Sequence, residues 1–107
     1  MAKNTPKERK YAMYEAILQL KDVEECCHFF DDLCAVTELR AMEQRFEVAS
    51  MLMENKVYME IMEKSNASSA TISRVNRMLN YGTGCLPDII RRTKEMQGQT
   101  DSEPAEE

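Results

Sequence analysis

The residues with the most usable chemistry lie between positions 68 and 80. Ser68, Ser69, Ala70, Ser73, Arg74, Asn76, Arg77 and Asn80 place hydroxyls, amides and guanidinium groups on one stretch at helical spacing. Ile72, Val75 and Leu79 recur every three or four residues and face the other way. Such a face donates and accepts hydrogen bonds but holds no nucleophile paired with a base. Small residues at its start let a backbone approach closely, and a helix N-terminus attracts phosphate. That chemistry suits the major groove of double-stranded DNA, where a reading helix meets base edges and arginines hold phosphates. Arg91 and Arg92 are further candidates for phosphate contact.

A reading helix must be held by a second helix. The stretch from Tyr58 to Arg77 is the length of a helix-turn-helix core. Such a unit needs one buried residue in its first helix, a turn residue that tolerates left-handed backbone, and two buried residues in its second helix. Ile61, Asn66, Ile72 and Val75 stand at those places. The position after Ile61 is commonly small and here is Met62. An ordinary helical hairpin with solvated serines carries a similar pattern.

Other reactive residues point to no catalysis. Cys26, Cys27, Cys34 and Cys85 match no zinc spacing, and His28 is the one histidine that could assist them. Cys27 and His28 lack an Asp or Asn partner arguable from spacing, so no enzyme, metal or cofactor is expected. Reduced thiols suit a cytoplasmic protein. No apolar run is long enough to span a membrane, and residues 1–10 lack the apolar segment of a secretory signal.

The net charge of −5 masks a segregation. Residues 1–54 hold seven basic and eleven acidic side chains, residues 55–94 seven basic and three acidic, and residues 95–107 five acidic and none basic. Positive charge is thus concentrated around the candidate reading unit. Its local field outweighs distant acids beyond a Debye length of about 8 Å.

Six helices are expected. Thr5, Pro6 and Glu8 form a helix start, followed by a stripe of Tyr11, Tyr14, Ile17 and Leu18 ending near Leu20. Asp22 caps a second helix from Val23 to about Cys34, whose apolar residues cover more than one side. That breadth implies burial against the chain and against a second copy. Thr37 caps a third, Glu38 to about Glu54, expected as the central core element through Leu39, Met42, Phe46, Val48, Ala49, Leu52 and Met53. Val57–Lys64 and a helix from Ser68 or Ser69 to Asn80 form the helix-turn-helix, 57–80. Tyr81–Gly84 terminates it, and a last helix runs from near Pro87 to Met96. Residues 97–107 are expected to be a disordered acidic tail after a domain of residues 1–96.

The stretch from Ala67 to Gly82, ASSATISRVNRMLNYG, resembles the reading helix of the Trp repressor superfamily, and in particular its YerC/YecD branch. Leu20–Cys34 and Gln44–Ala49 are similar to the same branch, so the resemblance covers roughly residues 10–95. It implies an all-α, six-helix fold, an intertwined homodimer with interlocking N-terminal helices, and sequence-specific DNA binding in transcriptional control, as in a repressor. It also implies an effector pocket. Arg45 and Arg74 correspond to the arginines flanking a bound indole, and Thr71 to the neighbouring threonine. Val75 and Met78 replace a glycine and a serine there, so tryptophan itself is not expected to bind, and any effector is of another, unknown kind. Arg45 equally suits a salt bridge or a solvated helix position. Met59 and Met62 replace basic readers on the first helix of the motif. The competing reading is a helical protein-interaction module that kept the fold and lost sequence-specific DNA reading.

Overall fold

The computed structural model describes residues 8–101, with side chains as far as Gly98. The described backbone is all-helical: α1 Tyr11–Ile17, α2 Val23–Leu33, α3 Val36–Met53, α4 Tyr58–Ser65, α5 Ser69–Tyr81 and α6 Cys85–Asp101. The expected class and helix number hold. The chain divides into two compact units between Leu39 and Arg40.

In the first unit, α2 starts where its sequence says. The Asp22 carboxylate accepts from the Glu25 amide at 2.8 Å, and the Glu25 carboxylate accepts from the Lys21 amide at 2.8 Å. The start of α1 differs from the expectation. Thr5 and Pro6 lie outside the described residues, and residues 8–10 are not helical. Lys10 takes the cap position in extended conformation with no side-chain hydrogen bond, so the helix begins only where its apolar stripe does. It also stops at Ile17 rather than Leu20. The amides of Gln19 and Leu20 reach back three residues, to Ala16 and Ile17, and tighten the end into 3₁₀ geometry. Neither α1 nor α2 contains a buried residue. Leu18 is 81% exposed and Val23 78%.

The second unit has the core. Val48, Ala49 and Met51 of α3 pack with Ile61 of α4, Ala67 of the following turn, Ile72 and Val75 of α5, and Ile90 of α6. Leu52, Met53, Leu79 and Leu86 close its edges. The expectation for α3 is corrected in two respects. It begins at Val36, not after a Thr37 cap, because the Glu38 carboxylate accepts from the Ala35 amide at 2.8 Å. Only its C-terminal half is core: Val48, Ala49 and Met51 are buried, with Leu52 and Met53 packed against them, whereas Phe46 is 44% exposed and Met42 is also exposed. α3 ends in a Schellman closure. Asn55 is left-handed (φ 63°), the Lys56 amide donates to the Met51 carbonyl, and the Asn55 amide donates to that of Leu52. Lys94 of α6 adds a cap from outside, donating to the Ser50 carbonyl at 3.1 Å and to the Glu54 carboxylate at 2.7 Å.

The last helix is longer than expected at both ends. The Thr83 hydroxyl accepts from the Cys85 amide, which starts α6 before Pro87, and Pro87 then sits in the first turn, where no amide is missed. The helix runs past Met96 to Asp101. Polar composition alone does not stop a helix whose backbone bonds are already propagating. Residues 102–107 of the expected tail lie outside the described residues.

Two outcomes follow from this packing. Ile72→Ala empties a fully buried site and should lower stability by about 2–5 kcal/mol in urea titration. Lys94 bonding and the nearby Lys56 and Lys64 charges hold the Glu54 carboxyl below its ordinary value. The stabilisation is therefore present above the unfolded-state pKa and disappears as pH falls through the lower folded-state value. Urea midpoints measured down the acid range should show a Glu54-dependent loss that Lys94→Met abolishes.

Candidate nucleic-acid interface

The site is built from a turn. α4 ends at Asn66, which is left-handed (φ 62°), and its amide donates to the Met62 carbonyl at 2.9 Å. A left-handed residue at that point reverses the chain in three residues, which an L side chain tolerates at low cost only if it is Asn or Asp. Two residues on either side lock the turn. The buried Ser65 hydroxyl donates to the Ile61 carbonyl at 2.6 Å and accepts from the Ala67 amide at 3.1 Å. Ala67 is itself buried in the core. From α3, the Gln44 side-chain amide donates to the Ser65 carbonyl at 3.1 Å. Sequence reading missed this brace, because Ser65 and Ala67 sit in a polar-looking run that reads as solvent-facing. Only the i, i+4 spacing of Ser65 to Ile61 hints at the back-bond.

Of the two serines that could cap α5, Ser68 does so. Its hydroxyl accepts from the Thr71 amide at 3.1 Å and donates to the Thr71 hydroxyl at 3.2 Å. Behind the cap, Ile61, Ile72 and Val75 are fully buried, as the helix-turn-helix pattern requires. In front, Ser69, Ala70, Ser73, Arg74, Arg77 and Asn80 are exposed and Asn76 is half-buried. The eight candidate DNA-contacting residues thus share one helix and its cap, seven of them in the open. α5 stops at Gly82, whose amide bonds the Met78 carbonyl at 3.1 Å. A Cβ at Gly82 would stand 2.7 Å from that oxygen, so no larger residue fits.

The candidate effector residues are arranged differently. Val75 belongs to the core, packed with Ile72, and Thr71 is occupied by the Ser68 cap. Arg45 and Arg74 are exposed and, among the described residues, have no ion-pair or side-chain hydrogen-bond partner, so Arg45 takes the solvated helix position. Met78, one helical turn after Arg74, is exposed.

The charges of the basic segment are sorted. Lys56 pairs with Glu54 and Glu60, Lys64 with Glu60, Lys94 with Glu54, and Arg91 and Arg92 with Asp88. Among the described residues, the two cations of residues 55–94 without a carboxylate partner are Arg74 and Arg77, both on α5. Arg77 lies over the Tyr81 ring, 5.7 Å from its centre.

Comparison with known proteins gives one consistent answer. The Trp repressor protein family model matches residues 8–94. The chain is 47% identical over 90 residues to the uncharacterized protein YerC of Bacillus subtilis (strain 168), covering 84% of this chain and 86% of that one. A TrpR-like protein from Eubacterium eligens ATCC 27750 has a similar solved structure, with TM-score 0.74 and 49% identity, covering 77% of this chain and 84% of that chain. A crystallised Staphylococcus aureus protein, provisionally assigned as a Trp repressor, gives TM-score 0.73 and 44% identity over 77% of this chain and 82% of its own.

The turn makes a sharp test. Asn66→Ala should lower stability by about 1–2 kcal/mol, the cost of a left-handed L residue without a polar side chain, whereas Asn66→Gly should stay close to the parent. Ser65→Ala strands the buried Ala67 amide and should cost about 1–3 kcal/mol. Thermal melts of the three variants check the order.

Proposed function

The chain belongs to the Trp repressor family, and from that premise we propose that it is a dimeric, sequence-specific DNA-binding regulator of transcription that reads the major groove with α5. One observation carries the reading: among the described residues, the cations of the basic segment left without a carboxylate are both on α5, on the face that also presents Ser69, Ala70 and Ser73. On this reading Ser69, Ala70 and Ser73 choose the sequence. Ser68 delivers the helix N-terminus, Arg74 and Arg77 hold phosphates, and Asn76 and Asn80 line the same groove wall. The protein acts in the cytoplasm as a repressor and performs no catalytic step.

The homodimer rests on the first unit. Among the described residues, none before Val48 is buried, yet Tyr11, Tyr14, Leu18, Val23 and Leu33 are exposed. Helices of this length are marginal in water without a packed face. A second copy, interlocking α1 and α2, supplies that face. It also supplies the second reading helix, so two half-sites about one helical turn apart are contacted.

A specific observation favours a second reading. α4 and its cap expose Val57, Tyr58, Met59 and Met62, with Met59 79% exposed, where a DNA-facing helix carries basic groups. A helical protein-interaction module would use such a face.

Sedimentation equilibrium at micromolar concentration should return twice the 12.4 kDa chain mass, and a folded monomer would contradict the dimer. In binding series on duplexes selected from a random pool, Arg77→Ala should weaken all sequences alike and lower the magnitude of the salt slope by about one, while Ser73→Ala should alter sequence choice. If neither variant changes binding, the interaction module is the better account. L-Tryptophan should give no saturable heat in calorimetric titration, because Val75 and Met78 bring larger apolar groups to the positions that would line its site.

A further inference from the structure

Asp88 lies in the first turn of α6, two residues before the core residue Ile90, and its carboxylate is shared between two neighbouring arginines. Oδ1 accepts from Arg91 Nη1 at 3.1 Å and Oδ2 from Arg92 Nη2 at 3.1 Å. All three side chains are at least half exposed. Both oxygens are used, one guanidinium each, so a single acid holds two of the seven cations of residues 55–94. Of the three acids in residues 55–94, Glu60 is engaged with lysines, and Glu63 has no ion-pair partner among the described residues. Asp88 is the one that ties arginines.

We propose that Asp88 is an electrostatic brake on DNA binding: it sequesters Arg91 and Arg92 from phosphates, so that affinity in the resting protein runs through Arg74 and Arg77. The inference rests on the DNA-binding reading above. Arginine prefers phosphate in bidentate geometry, but each guanidinium must first leave a carboxylate that itself repels the duplex. Exposed ion pairs of this kind are weak, so the brake sets a modest, tunable penalty rather than an absolute block. A rise in salt loosens the Asp88 pairs and the phosphate contacts together, which keeps the salt dependence of the parent protein shallow.

The test is a salt-dependent binding series with one duplex, selected from a random pool on the full-length protein. Asp88→Asn should tighten binding about threefold to tenfold near 0.1 M salt, the release of two exposed ion pairs. It should also raise the magnitude of the salt slope by about one to two per subunit as the freed arginines reach phosphates. Glu63→Gln removes the same charge from an acid with no arginine partner and should change affinity by less than about twofold. Adding Arg91→Ala and Arg92→Ala should cancel the gain in the Asp88→Asn background while changing the parent little. Equal tightening by Glu63→Gln and Asp88→Asn would reduce the effect to net charge and overturn the brake. So would an Asp88→Asn protein, folded by circular dichroism, with parent affinity and slope. If the parent and every variant fail to bind any duplex even at low salt, the DNA-binding reading falls and the brake falls with it.

Discussion

A helix can present side chains to a groove only if something fixes the direction in which it leaves the protein, and here that direction is set at a three-residue turn. Asn66 takes the left-handed conformation, the Ser65 hydroxyl closes the backbone on both sides of it, and Gln44 ties the turn to α3. The turn brings α4 and α5 together, so that Ile61, Ile72 and Val75 join one buried cluster in the second unit. Everything that makes α5 usable depends on it. The Ser68 cap, the exposed serines and the two unpaired arginines keep their places only while the buried side of the helix is seated.

The core is small. It is an eight-residue cluster in which α3 contributes only its C-terminal half, supplemented by Lys94 reaching from α6 to the α3 terminus. A small domain of this kind has a thin margin of stability. The N-terminal helices add no buried side chain of their own, although their apolar residues recur at helical spacing. Burial by a second copy and DNA reading by paired helices are therefore one physical requirement on this account.

Much of this was legible from residue order. The positions of Ile61, Asn66, Ile72 and Val75 follow from what a helix-turn-helix must bury and bend, and each is found in that state. Asp22 and the end of α5 at Gly82 were likewise readable, because caps and glycines act locally. Features set by distant neighbours were not. Ser65 and Gln44 are far apart in sequence, and nothing local marks either as structural. The apolar stripe of α3 does not tell which half the same chain will cover. The starts of α3 and α6 were displaced because Glu38 reaches back to the Ala35 amide and Thr83 forward to the Cys85 amide, each starting its helix earlier than the spacing of caps and Pro87 implies. The basic segment was visible as a count, but only geometry separates the arginines held by Asp88 from those left open on α5.

The most direct test of the account is an amide NMR titration of the full-length protein with a short selected duplex at low salt. The account predicts that shifts concentrate at the start of α5, from Ser68 to Arg74, and at Arg77, while the amides of α1 and α2 keep their positions. Shifts confined to α1 and α2 or to the exposed methionine face of α4, or no shifts at saturating duplex, would contradict it.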